Sequence, residues 1–154
     1  MRHGGQILAD QLKLHGVRRV FSVPGESFLA ALDGLYESGI ENIVCRHEGG
    51  AGYMAVADGR LTRRPGLALV SRGPGASNAA IAVHTAQQDA VPMILVIGQI
   101  AARDLRREAF QEIDYQNMFG SIARYYEEEF DTAVDNMSTL IEPIMIVFMG
   151  TFLP

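Results

Sequence analysis

Leu67-Ala68-Leu69-Val70-Ser71, followed by Arg72-Gly73-Pro74-Gly75 and then the small-residue run from Ala76 to Gln88, is the stretch whose reading decides the fold. An apolar run without polar alternation reads as a strand covered on both faces. The Gly-Pro-Gly break ends it, and the run behind it reads as a helix. The same unit recurs on either side. Upstream, Val20-Phe21-Ser22-Val23 is a strand closed by Pro24-Gly25. Ser27 then caps a helix with Phe28, Leu29, Leu32, Leu35 and Tyr36 on one face, and Gly39 ends it. Asn42-Ile43-Val44-Cys45 is the next strand, and Glu48 to Arg64 is a helix rich in Gly and Ala, with Met54, Ala57 and Leu61 expected inward. Downstream, Met93-Ile94-Leu95-Val96-Ile97 is a fourth strand, and a first helix spans Gly4 to Gly16.

Strands alternating with helices, each strand apolar throughout, predict an α/β fold: a doubly wound, mainly parallel sheet flanked by helices. In such sheets ligands lie beyond the carboxyl ends of the strands. Those ends are Pro24-Gly25-Glu26, Arg46-His47-Glu48, Arg72-Gly73-Pro74-Gly75 and Gly98-Gln99, and polar and glycine residues gather there.

Composition narrows the function. The chain has 154 residues, 48% hydrophobic and 20% charged, which suits a domain with a real core and excludes a disordered chain. Basic residues form nothing larger than the pairs Arg18-Arg19, Arg63-Arg64 and Arg106-Arg107, so no electrostatic footprint for nucleic acid is present. The single Cys45 allows no internal disulfide, and no Cys/His spacing suggests a metal site. Met1-Arg2-His3-Gly4-Gly5 lacks the apolar stretch of a secretory leader, and the expected location is cytoplasmic. The net charge of −5 is unevenly placed. Through Tyr126 there are 13 basic and 12 acidic residues, whereas the remaining residues carry six acids and no base. That shift divides the chain into a domain over 1–125 and an acidic, then apolar, tail over 126–154.

Taken singly, the polar residues at the sheet edge have ordinary explanations. Glu48 opens a helix, where an acid complements the helix dipole. Gly73-Pro74-Gly75-Ala76-Ser77-Asn78 invites a dinucleotide reading, but Asn78 stands where the third glycine belongs and no P-loop lysine follows. His47 and His84 show no partner in the sequence, and Gln111 and Glu112 fit a polar loop.

The joint pattern says more. Val23-Pro24-Gly25-Glu26, Arg46-His47-Glu48-Gly49-Gly50-Ala51, Ala57-Asp58-Gly59-Arg60, Ser71-Arg72-Gly73-Pro74-Gly75-Ala76-Ser77-Asn78, Gln88-Asp89-Ala90-Val91-Pro92-Met93, Gly98-Gln99 and Ala109-Phe110-Gln111-Glu112-Ile113-Asp114 follow in order. Over about residues 4–124 this resembles the N-terminal pyrimidine-binding domain of thiamine-diphosphate-dependent enzymes of the acetolactate synthase and benzoylformate decarboxylase type. The resemblance implies thiamine diphosphate as cofactor and Glu48 as the catalytic glutamate that hydrogen-bonds N1′ of its aminopyrimidine, a role needing a carboxylate that can hold a proton in a dry site. It also implies that Pro24, Gly25 and Glu26 lie against the pyrimidine, that Pro74 and Asn78 sit close to the cofactor, and that Gln111 reaches into the active site. Arg72 departs from the family, which carries a small polar residue there.

The resemblance also implies a missing half. The family holds magnesium and diphosphate through a Gly-Asp-Gly motif on a separate domain, and no Gly-Asp-Gly occurs in this sequence. The expectation is a truncated pyrimidine-binding domain acting on 2-oxo acids only with a diphosphate-binding domain in trans; the expected partner is that domain or a second copy in a homo-oligomer. The alternative is a catalytically inert chimeric or remnant α/β domain serving at most as an interaction module.

The tail resembles something else. Tyr126-Glu127-Glu128-Glu129 through Leu140-Ile141-Glu142-Pro143 to Gly150 is similar to the C-terminal end of inner-membrane platform proteins of type II secretion and type IV pilus systems. Val134, Met137, Leu140 and Ile141 form an amphipathic stripe, and Ile144 to Met149 is wholly apolar. The apolar run is shorter than the roughly 20 residues a bilayer span needs, which leaves docking on an apolar surface or contact with a membrane face. The expected form is a C-terminal amphipathic and apolar helix.

Overall fold

The computed structural model describes residues 2–123, together with the backbone of Tyr125–Glu129 and Ile144–Met149. Four strands, β1 (Arg19–Ser22), β2 (Glu41–Val44), β3 (Gly66–Val70) and β4 (Met93–Gly98), run parallel in the order β2-β1-β3-β4. They are joined by α2 (Leu29–Tyr36), α3 (Glu48–Thr62) and α4 (Gly73–Gln88). Helix α1 (Gly4–Leu14) precedes them and the short α5 (Tyr115–Phe119) follows. The α/β fold with helices on both faces of a parallel sheet is thus the one expected.

Successive side chains of a strand point to opposite faces, and here both faces are covered. Leu67 and Leu69 of β3, with Val20 and Val96, pack under α1 and α2. Ala68 and Val70, with Phe21, Leu95 and Ile97, pack under α3, α4 and α5. Every residue of β3 is buried, which is why its sequence shows no alternation.

The expected inward face of α3 needs correction. Met54 is 48% exposed and Leu61 85% exposed, while Gly52, Ala55, Val56 and Gly59 are buried. The reason is closeness. A Cβ on Gly52 would stand 2.5 Å from that of Ala82 on α4, and one on Gly59 would stand 2.3 Å from the carbonyl of Pro92. Only glycine and alanine fit such a seam, so the large side chains turn outward. Leu29 and Tyr36 of α2 are likewise exposed, against the face assigned to them from spacing. Ser27 is not a helix cap. It lies buried in a single turn of 3-10 helix, Glu26–Phe28, ahead of α2. Helix α4 starts at Gly73 rather than Ala76, because Pro74 in the first turn costs no hydrogen bond and brings a helical φ.

The C-terminal helix is also corrected where the backbone is described. Tyr125–Glu129 (β5) and Ile144–Met149 (β6) are strands: β6 runs antiparallel to β4, setting Ile94 opposite Phe148, and β5 runs antiparallel to β6. A six-residue apolar run is too short for periodicity to separate strand from helix, and the outer edge of β4 offers unpaired backbone groups that a strand satisfies. The remaining residues of 126–154, the amphipathic stripe and the Leu-Ile-Glu-Pro segment among them, lie outside the described residues. Among the described residues, no helix is long and apolar enough to cross a membrane.

Replacing Gly52 by Leu should lower stability by about 1–3 kcal/mol, because overpacking at the seam must part the two helices. Urea denaturation followed by circular dichroism measures it. A midpoint equal to that of the unaltered chain would mean the seam yields freely.

Candidate functional site at the carboxyl edge of the sheet

Three of the sheet's strand-to-helix turns converge through small residues. A Cβ on Gly25, just after β1, would stand 2.8 Å from Oγ of Ser71 at the end of β3. The hydroxyls of Ser27 and Ser71 are hydrogen-bonded at 3.1 Å. A Cβ on Gly98, closing β4, would stand 2.1 Å from Oγ of Ser27. The ends of β1, β3 and β4 are thereby locked together, with no side chain able to grow between them.

Glu48 lies at the first position of α3, beyond β2. The preceding residue fixes the helix start: the backbone N–H of Gly49 donates to Nδ1 of His47 at 3.0 Å. His47 is therefore the cap of α3. The half-buried Glu48 carboxylate receives the Nδ2–H of Asn78 on its Oε2, at 2.9 Å. Its Oε1 lies 3.5 Å from where a Cβ on Gly75 would stand and has no hydrogen-bond partner among the described residues. On the other side, nothing lies within 4 Å of a Cβ built on Gly50. A carboxylate with one oxygen tethered, the other unoccupied, and bare glycine backbone beside it fits the approach of a flat nitrogen heterocycle. Glu48 and Asn78 are the two sequence-derived site residues that the structure joins directly.

Glu26 is engaged differently. Its Oε1 accepts from Nη1 of Arg72 at 3.0 Å, with the arginine side chain 15% exposed and the glutamate 69% exposed. The Nε of Arg72 is buried without a partner among the described residues. Arg72 thus ties the β1 turn to the β3 turn. Pro74 is exposed in the first turn of α4. Pro24 is exposed and borders a separate shallow cleft with Leu32, Leu35, Tyr36, Ile40 and Asn42, on the α2 side of the sheet.

Gln111 arrives on the long loop after β4. Its backbone has φ +65°, and its carbonyl accepts the N–H of Gly73 at 2.9 Å. A Cβ on Gly73 would lie 2.8 Å from that carbonyl and 2.9 Å from Cγ2 of Ile113. Sequence reasoning missed this backbone seat, the Ser27–Ser71 link and the His47 cap. The one legible signal was the glycine at 73, which marks a close approach without saying to what.

The Glu26–Arg72 pair is unequally exposed, so its two halves should respond unequally. Glu26→Gln leaves a largely buried guanidinium without its carboxylate, whereas Arg72→Met leaves only an exposed glutamate. The expectation is a loss of about 1–3 kcal/mol for the first and less than about 1 kcal/mol for the second, measured by urea unfolding. The reverse order would show that the pair lies open to water.

Comparison with known proteins gives a consistent picture. The family described as thiamine pyrophosphate enzyme, N-terminal TPP binding domain, matches residues 2–118. An acetolactate synthase of Bacillus subtilis is 39% identical over 128 residues, covering 83% of this chain and 22% of that protein. A catabolic acetolactate synthase of Raoultella terrigena is 35% identical over 139 residues, covering 90% of this chain and 24% of that protein. The large subunit of acetolactate synthase isozyme 2 of Escherichia coli is 36% identical over 112 residues, covering 73% of this chain and 20% of that protein. This chain therefore spans less than a quarter of the length of each of these relatives.

Proposed function

The chain belongs to the thiamine pyrophosphate enzymes, through their N-terminal TPP binding domain, and we propose on that premise that it forms the aminopyrimidine half of a thiamine diphosphate site in an acetolactate synthase-like enzyme. The observation that carries this reading is the Glu48–Asn78 pair. The Asn78 amide fixes Oε2, and the glycines at 50 and 75 leave Oε1 open to a ring nitrogen. When bound, the cofactor supplies a nucleophilic carbon that adds to a 2-oxo acid, leading to decarboxylation and carboligation. With the cofactor bound, the open Oε1 of Glu48 would meet the pyrimidine nitrogen and share a proton with it. Asn78 keeps that carboxylate from swinging to solvent, and the His47 cap keeps the turn beneath it from unwinding. Gly25, Glu26, Pro74 and Gln111 line the approach, with Glu26 held by Arg72, while Pro24 faces the α2 side.

Magnesium and the diphosphate fall to a diphosphate-binding domain supplied in trans. The exposed apolar side chains Tyr53, Met54 and Leu61 of α3 and Ile81 of α4 support a partner on that side of the domain.

Turnover of pyruvate or benzoylformate, with thiamine diphosphate and magnesium, tests the proposal. It is measured on the chain alone and with an acetolactate synthase diphosphate-binding domain added. Activity is expected only in the second arm, and Glu48→Gln should reduce it by about 10²–10⁴-fold, since an amide cannot hold the proton. Thiamine titration of the chain alone should shift the amide resonances of Glu48, Gly49 and Asn78. No shift and no turnover in either arm would leave an inert α/β interaction module. Full activity in the Gln variant would remove Glu48 from the chemistry.

A further inference from the structure

The loop between β4 and α5 carries an unusual concentration of left-handed backbone. Arg106, Glu108 and Gln111 have φ of +62°, +56° and +65°, and none of them is glycine. Such conformations cost of order 1 kcal/mol each and persist only where surrounding bonds over-determine them. The bonds here converge on one side chain. One carboxylate oxygen of Glu112 accepts the backbone N–H of Arg106 and the other accepts that of Ala109, the latter at 3.0 Å. The N–H of Glu112 in turn donates to the carbonyl of Ala109 at 2.9 Å, closing the turn on itself. The chain thus wraps a nest of amides around a carboxylate it supplies itself. The next residue back, Gln111, gives its carbonyl to the first N–H of α4, at Gly73.

We infer that Glu112 is a positioning residue: its carboxylate is the resident counter-ion of this amide nest, and it clamps the 106–113 loop onto the first turn of α4, presenting Phe110 and Gln111 to the ligand edge. The presentation of Gln111 to a cofactor rests on the function proposed above, whereas the clamp itself does not. Phe110 is 74% exposed and Gln111 half-buried, so neither is held by a core of its own. What fixes them is the backbone on either side, tied at Glu112 and at Gly73. Carboxylate–amide bonds are about twice as strong as neutral ones, which is the property a clamp on a strained loop requires.

The electrostatics agree. The hydrogen bond from the Arg106 amide first, together with that from Ala109, holds the Glu112 carboxyl below its usual range, against an opposing effect of burial. The sign follows. A lowered native value means the clamp is complete above the unfolded-chain value and is lost as pH falls through the native one. Charged groups nearby are Arg103, Asp104, Arg106, Arg107, Glu108 and Asp114 on the loop side, and Arg72, paired with Glu26, on the turn it abuts.

The test is nuclear magnetic resonance on the full ¹⁵N-labelled chain without cofactor. On acidification, the amides of Arg106 and Ala109 should titrate together, with a midpoint below the ordinary glutamate value of about 4.3, and the Gly73 amide should follow them. At neutral pH, Glu112→Gln should raise hydrogen exchange at Gly73 by about tenfold or more, leaving Leu69 and Val96 in the sheet unchanged, and Glu112→Asp should restore part of the protection. A folded Gln variant with Gly73 exchange within about twofold of the parent would overturn the clamp. So would Arg106 and Ala109 amides that do not titrate together, and this reading stands even if the variant fails to fold. Thiamine titration of the same sample separates the two proposals. An intact clamp with no thiamine response removes the cofactor reading alone, and a thiamine response without the Gly73 effects removes the clamp alone.

Discussion

The ligand edge depends on how closely α3 and α4 approach. Gly52 of α3 meets Ala82 and the carbonyl of Ala79 on α4, and the ideal Cβ built on Gly49 already lies 3.2 Å from the carbonyl of Asn78. At that separation an asparagine in the second turn of α4 can reach the carboxylate that opens α3. Glycine inside a helix costs roughly 0.5–1 kcal/mol relative to alanine, so the four in α3 are expensive locally. Burying the alanine layer over Ala68, Val70, Leu95 and Ile97 offsets that cost, and the shared geometry is what joins Glu48 to Asn78. The same closeness expels Met54 and Leu61, so the apolar side chains on the outer face are a consequence of the seam.

The sheet imposes the second constraint. With strand order β2-β1-β3-β4, the ends of β1 and β3 lie side by side at its centre. Gly25, Ser27, Ser71 and Gly98 meet there with no room for larger side chains. Small residues keep these turns low, and Arg72 reaches from the β3 turn to Glu26. The loop carrying Phe110 and Gln111 is seated through backbone at Gly73.

Much of this was legible in the sequence, and the part that was not has a physical cause. The four parallel strands could be read because strands buried on both faces must be apolar throughout, and Leu67 to Val70 shows that plainly. The edge could be read because turns need glycine and proline. The inward face of α3 could not, because hydrophobic periodicity assumes that the largest residues go inside, and a glycine–alanine seam reverses that rule. The tail's strand Ile144–Met149 was mistaken for helix because six apolar residues fit either element until a partner edge is known. The clamp at Glu112 was invisible because its partners are backbone amides, which every sequence has.

The two glutamates at the edge show why residue type alone underdetermines a site. Both Glu26 and Glu48 follow strands, Glu26 after Pro24-Gly25 and Glu48 before Gly49-Gly50. Glu26 meets a guanidinium, which makes it a brace between two turns. Glu48 meets a neutral amide, which orients the group without cancelling its charge and leaves its second oxygen unclaimed. The difference between the two glutamates therefore lies in Arg72 and Asn78. Both are carried by the β3–α4 segment, Leu67 to Gln88, whose reading decided the fold.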